Sequence, residues 1–431
     1  MIRIAPLGRA LAVAAAASLA LTACGGGTES AAPASSASSA PPASSTAPAA
    51  VVADGTFTVG TLLPQTGSLA YLGPPEFAGV KLAVKEINDA GGVLGKPVTE
   101  VDTDSGDTST NIASQSVDKL LQQKADVVVG AASSSVSLSV IDKITGAGVV
   151  QISPANTSDK LTSYNDKGLY FRTAPPDVLQ GRVLGDLIVA DGNDTVGILA
   201  LQDAYGTGLA DNTQKAVEGG GGQVVEKVIY DPKAADYSAD VSKIKAANPK
   251  AIALIGFDET KKIVPELIKQ GIGPDKVKIY FVDGNLADYS KDFPKGTLKG
   301  IKGTTPGVDS TKDFKDKLKA VDPSLTVYNY APESYDATVL TALAALEAKS
   351  DAGTDIAKHL QTVSEGGTKC KTFKECADLI AAGTDIDYDG VSGPIEFNDA
   401  GDPAEATIGI YQYGPDNTFK NIAFNTGKIS G

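Results

Sequence analysis

The sequence is short of several things, and each shortage excludes something. It contains no tryptophan and one histidine. That histidine, His359, lies in helical "DIAKHLQTV", where a surface position is the simple reading. Histidine-based catalysis is left with a single candidate. No G-x-S-x-G elbow of an α/β-hydrolase occurs. "GGVLGKP" falls short of a phosphate-binding loop, because the leading glycine is missing and Pro97 follows the lysine. The chain is not expected to be an enzyme. Without tryptophan, the best wall for a quaternary-ammonium cage is absent. Positive charge is also scarce: 38 Lys and Arg stand against 52 Asp and Glu, a net charge of −14. Nucleic acid and electrostatic attachment to an anionic membrane are disfavoured. Beyond the N-terminus, no apolar run is long enough to span a bilayer.

The N-terminus reads as an address. "MIRIAPLGRA" carries two arginines, and "LAVAAAASLA" is apolar but too short for a lasting membrane helix. "LTAC" then ends at Cys24 and resembles the bacterial lipobox, which implies cleavage before Cys24 and lipid attachment to it. Residues 1–23 are thus expected as a lipoprotein signal peptide. From Cys24 to Ala53 the chain is mostly Ala, Ser, Pro and Gly, without the large apolar side chains that offset ordering entropy. It reads as a disordered tether with a reach of roughly 30 Å. The expected location is the extracytoplasmic face of a bacterial cell membrane. In that compartment Cys370 and Cys376, in "CKTFKEC", are expected to form a disulfide, with two free thiols as the alternative.

From residue 54 onward, short β-rich runs alternate with helical patterns. "FTVGTLLP", "VTEVDTD", "ADVVVGA", "GVVQIS", "TVGILAL", "QVVEKVIY", "AIALIGF" and "KIYFVDG" read as strands, most of them followed by a helical or loop segment. "PPEFAGVKLAVKEINDAGG" reads as a helix with prolines at its start and glycines at its end. Helices dominate from about 332 to 382, and "PIEF", "ATIGIYQY" and "TFKNIAF" read as closing strands. The pattern predicts an α/β fold of two lobes, each a mainly parallel sheet flanked by helices. Lobe I is expected over 54–173 with about 306–388, and lobe II over 174–305 with about 389–431. Crossovers near 172–177, 303–308 and 388–394 are the hinge candidates.

In such sheets, ligands bind beyond the carboxyl ends of the strands. Those ends carry Ser133, Ser134 and Ser135, then "SPANTSD", "QDAYGTG", "FDE" and "DGN". Hydroxyls and helix N-termini suit a carboxylate, an acid suits an ammonium group, and aromatics supply walls. Together they describe a site for a zwitterion such as a free amino acid. Each residue also has a plainer role available. Ser134 can be a helix cap, Thr157 can cap a turn, Tyr205 can be core, and Asp283 can form an Asp-Gly turn.

The chain from about residue 54 to its end resembles the branched-chain amino-acid binding proteins of ABC transporters, which have the type I periplasmic-binding-protein fold. The resemblance is carried by "LLPQTGSLAYLGPPEFAGVKLAVKEINDAGGVLGKPV", "VVVGAASSSVS", "QISPANTSDKLT", "YFRTAPPD", "DAYGTGLA" and "DYDGVSGPIEFNDAGDP", in the family's order. It implies that Ser134 and Thr157 hold the ligand carboxylate, with the backbone at Ala155. It also implies that Asp283, with Ala155, takes the ammonium. Tyr205 closes over the ligand from the second lobe. Phe257 stands where leucine-type members usually have tyrosine, and Asp283 is shorter than their usual glutamate. Tyr71, Leu72 and Ser133 are expected to line the cleft. The implied mechanism is hinge closure on a small molecule, followed by recognition by ABC permease membrane subunits. The protein is expected to act as a monomer and to need no cofactor. The rival readings are a ligand sensor of the same fold and an uptake protein for amides, urea-like or aromatic compounds.

One metal motif is discounted. "DIDYDGVSGPIE", Asp385 to Glu396, satisfies the calcium-loop spacing. Such a loop needs a helix after it, and Pro394 with "IEFND" reads as a strand. No metal is expected.

Overall fold

The computed structural model describes residues 50–429. The expected signal peptide, Cys24 and the expected tether as far as Ala49 lie outside the described residues. Near the start of the described residues, the Val51 N–H donates to the Ala147 carbonyl at 2.9 Å.

The first sheet contains β1 (Thr58–Leu63), β2 (Thr99–Asp104), β3 (Val127–Gly130), β4 (Val150–Ser153) and β5 (Tyr170–Arg172). All five strands run parallel, in the order β2-β1-β3-β4-β5. β1, β3 and β4 are buried along their whole length, as apolar strands covered by helices on both faces should be. β2 is the edge strand, and its "TEVDTD" is correspondingly polar. Glycine at 130 has a steric cause: its φ is +130°, and a Cβ there would stand 2.1 Å from the Leu62 carbonyl oxygen on the neighbouring strand.

The second sheet has seven strands. β6 (Thr195–Leu201), β7 (Gln223–Tyr230), β8 (Ala251–Ile255), β9 (Lys278–Phe281) and β10 (Lys302–Pro306) are parallel. β11 (Thr368–Cys370) and β12 (Ile386–Tyr388) form a separate two-stranded sheet beside the Cys370–Cys376 disulfide. β13 (Glu405–Tyr413) and β14 (Phe419–Lys428) then extend the second sheet antiparallel, giving the order β14-β13-β10-β9-β8-β6-β7.

The helices Lys312–Val321, Ala331–Ala348, Gly353–Leu360 and Phe373–Ala381 bury their apolar residues in the core of the first sheet, not the second. The chain therefore passes between lobes after β5, after β10 and after β12. At the second crossover, residues 303–306 are the end of β10 and the chain leaves the sheet at Gly307, where φ is +97°. "KGTTP" carries little apolar signal because its partners, not its own side chains, make it a strand. "PIEF" is not a strand: Pro394 and Phe397 make only isolated bridges, to Asp389 and Pro403. Proline has no N–H to continue a ladder.

Candidate functional site

The three serines that follow β3 have three different tasks. Ser133 is the cap of the helix Ser134–Gly146, its Oγ accepting from the Val136 N–H. Ser135 reaches the other lobe, donating to Asp203 Oδ2 at 3.2 Å and accepting from the Ala204 N–H at 3.0 Å. Ser134 lies between them and is buried. Its Oγ accepts from the N–H groups of Thr157 and Ser158, at 3.3 and 3.2 Å. With the lone pairs engaged, its O–H remains to donate, and it does so to nothing among the described residues.

The loop after β4 is held from beneath. Ser153 Oγ donates to the Ala131 carbonyl and accepts from the N–H groups of Ala155 and Asn156. Asn156 Nδ2 donates to the carbonyls of Ala131 and Ala132. The Ala155 N–H is thereby engaged with Ser153 at 3.2 Å, and Ala155 offers its carbonyl. The Thr157 hydroxyl is buried without a hydrogen-bond partner, an arrangement that interiors rarely tolerate outside functional sites.

Asp283 faces these groups from the end of β9. Its Oδ1 accepts from Tyr205 Oη at 2.7 Å and Gln180 Nε2 at 2.8 Å. Its Oδ2 accepts from Tyr330 Oη at 2.7 Å, and its carbonyl accepts from Tyr71 Oη at 2.9 Å. Burial pushes the Asp283 carboxyl above its ordinary range, and the three side-chain donors oppose that shift. Burial and the Asp283 charge push the Tyr205 and Tyr330 phenols well above theirs, so both remain donors. One lone pair of Oδ2 is left for a further donor.

A small cavity lies between the two halves. Its polar lining includes Ser133, Ser134, Thr157 and Asp283, with Ala155 beside them. Leu69, Leu72, Ala132 and Phe257 supply apolar lining. Tyr205 stacks on Phe257 with ring centres 5.5 Å apart and planes 10° from parallel. The predicted site residues are thus brought together except Tyr71, which was expected in the cleft wall but lies outside this lining and reaches it only through its bond to the Asp283 carbonyl. Sequence reasoning missed Tyr330, Gln180, Leu69 and Ala132. Gln180 had a signal, being a polar residue at a buried position of the helix Asp177–Ala190. Tyr330 had none, because it follows no strand.

Elsewhere, Lys369 takes up the acids of the calcium-like segment, with Nζ 2.8 Å from Asp387 Oδ2 and 3.0 Å from Asp389 Oδ1. His359 is half-buried rather than on the open surface, and its Nδ1 sits 2.9 Å from the Asp355 carbonyl of its own helix. No helix among the described residues is long and apolar enough to cross a membrane.

A family model described as periplasmic binding protein matches residues 56–418. Leu/Ile/Val-binding protein homolog 3 of Brucella melitensis is 27% identical over 361 residues, covering 78% of this chain and 92% of its own. The chemotactic signal transduction system substrate-binding protein BasB of Halobacterium salinarum is 26% identical over 358 residues, covering 80% and 84%. Among solved structures, the branched-chain amino acid transporter substrate-binding protein LivJ of Streptococcus pneumoniae, in complex with isoleucine, superposes with a TM-score of 0.70. It is 24% identical, and the match covers 87% of this chain and all of that one.

Proposed function

The chain belongs to the periplasmic binding protein family, and we propose that this member captures a free amino acid, aliphatic ones favoured, and delivers it to an ABC permease. The observation that carries the reading is that one cavity is lined by a buried acid, Asp283, and by the buried hydroxyl of Ser134, whose proton has no partner among the described residues. A zwitterion satisfies both ends at once. The Ser134 O–H supplies a donor for its carboxylate. Asp283 Oδ2 and the Ala155 carbonyl supply acceptors for its ammonium group. The apolar lining from Leu69, Leu72 and Phe257 suits an uncharged side chain.

Ligand capture and lobe closure are one event in this reading. Besides Tyr71 and Tyr330 on Asp283, Ser158 Oγ donates to the Ala204 carbonyl at 2.8 Å and Asn212 Nδ2 to Asp159 Oδ2 at 2.6 Å across the cleft. A ligand that touches both lobes stabilises the form in which these bonds exist. The lobes we assign are 54–173 with 306–388, and 174–305 with 389–431. Cys24 is the lipid attachment that holds a monomeric binding protein at the outer face of the membrane. The name of the Halobacterium relative favours one second reading, a sensor with the same cleft.

Calorimetric titration with amino acids, after removal of ligand carried through purification, tests the assignment. An aliphatic amino acid should bind. Asp283→Ala should weaken that binding by about 2–5 kcal/mol, the cost of unpairing a buried charge. Binding of an uncharged amide or an aromatic acid, with no zwitterion bound, would sink it. Loss of leucine uptake in cells lacking the protein separates transport from sensing.

A further inference from the structure

Four buried side-chain atoms without hydrogen-bond partners belong to three residues at one place: Thr157 Oγ1, both carboxyl oxygens of Asp177, and Gln180 Oε1. All three residues are fully buried. Asp177 and Gln180 lie one turn apart at the start of the helix Asp177–Ala190, and so share a face. The Asp177 N–H donates to the Thr157 carbonyl at 2.6 Å, which fixes the two residues together. Gln180 Nε2 donates to Asp283 Oδ1 and to the Thr304 carbonyl, so its amide direction is set and Oε1 is an acceptor lacking a donor. The Thr157 hydroxyl is a donor lacking an acceptor.

An ionised Asp177 would serve only as an acceptor and would leave Gln180 Oε1 bare. A carboxylic acid has one acceptor oxygen and one donor, and completes both. We propose that Asp177 is a positioning residue kept as a neutral acid, accepting from the Thr157 hydroxyl and donating to Gln180 Oε1. Thr157, Asp177, Gln180 and Asp283 then form one polar chain beneath the cavity. The Thr157 hydroxyl proton points down this chain, so toward the ligand Thr157 is an acceptor for the ammonium group, and the carboxylate is left to the Ser134 O–H. Asp283 remains the one anion at the cavity, matching one ammonium group. This deepens the amino-acid reading and rests on it for the ligand used below.

The surroundings agree. Burial pushes the Asp177 carboxyl well above its ordinary range and the charge of Asp159 adds to this; the Thr157 hydroxyl opposes it, Asp283 adds to it, and Arg172 opposes it. Asp159 faces it from the short helix Asp159–Thr162 and Asp283 from the turn after β9. The Tyr205 phenol is the other titratable group that feels it. Arg172, the nearby cation, is committed to Asp402, with Nε 2.6 Å from Oδ1.

The test uses the full-length protein, wild type against Asp177→Asn and Asp177→Ala. Leucine binding is measured by calorimetry, and thermal unfolding of the ligand-free proteins is followed across pH. Asparagine reproduces the neutral acid, with one donor and one acceptor, so its affinity should stay within about threefold of wild type while alanine loses about tenfold or more. The melting temperature of Asp177→Asn relative to wild type should climb as pH rises above about 4, because only wild type must keep a proton that its unfolded chain releases. An asparagine variant as weak as alanine, or a melting difference flat with pH, overturns the neutral acid. An alanine variant that binds like wild type overturns the positioning role. If wild type binds no amino acid, the ligand reading has failed, and the unfolding measurement judges Asp177 alone.

Discussion

Tyr330 Oη donates to Asp283 Oδ2 at 2.7 Å, joining residues 47 apart in sequence that stand on opposite sides of the cleft. Tyr330 makes this reach from a left-handed backbone, φ +61°, immediately before the helix Ala331–Ala348. A bulky residue with positive φ is unusual, and here the conformation aims the ring into the ligand cavity. The bond requires the lobes to be together, and in the closure proposed above it marks the closed form.

Tyr330→Phe keeps the ring and deletes the donor. Hydrogen bonds to charged groups are worth about 1.5–3 kcal/mol, so ligand affinity should fall roughly tenfold or more. Calorimetry on the variant reads this directly. Unchanged affinity would mean that the hydroxyl contributes nothing to closure.

Arg172 braces the loop after β4 from beneath. It is fully buried, with Nε on Asp402, Nη1 on the Ser158 carbonyl at 2.9 Å and Nη2 on Thr162 Oγ1 at 2.7 Å. Arg172→Ala strands the Asp402 charge and should cost about 3–5 kcal/mol of folding stability. The double change Arg172→Met with Asp402→Leu removes both charges and should cost less than the single one. Denaturant midpoints of the two proteins decide it, and equal losses would refute the charge argument.

Glu333 predicts a pH dependence. Burial pushes its carboxyl from the ordinary 4.5 up to about 8, with the Asp336 charge adding and its own backbone N–H opposing. It lies against the second crossover, where a Cβ on Gly307 would stand 2.3 Å from Glu333 Oε1. The folded state holds a proton that the unfolded chain gives up. This contribution to stability is therefore complete below the unfolded value, falls as pH rises, and is gone above about 8. Glu333→Gln removes the titration. Its stability relative to wild type should rise between these limits, by an amount on the order of a few kcal/mol at the alkaline end. Melting temperatures taken across that range supply the check, and a constant difference would contradict a buried neutral acid.

Strand ends were the legible part of the site. Ser134, Thr157, Tyr205, Phe257 and Asp283 all stand just past a β-rich run, so the periodicity that locates the strand also locates the residue. Tyr330 could not be found this way, because its position follows from how the helix Ala331–Ala348 packs on the first sheet. Ser133 and Ser134 exchanged their simple roles. The cap fell to Ser133, a choice made by one residue of helix register, finer than periodicity resolves. The strand β10 was hidden because "KGTTP" is held by β9 and β13 on either side, and pairing partners leave no mark on the strand's own sequence.

What the sequence determined alone was the layer architecture, since alternating β-rich and helical runs admit few ways of burying their apolar faces. It also determined the inventory of the strand ends: hydroxyls, acids and aromatics. Only the tertiary structure decided who speaks to whom across it. Asp283 receives Tyr205 and Gln180 from its own lobe and Tyr330 and Tyr71 from the other. Such pairings depend on where two separately folded sheets come to rest against each other. Local propensity acts over a few residues and carries no information about that distance.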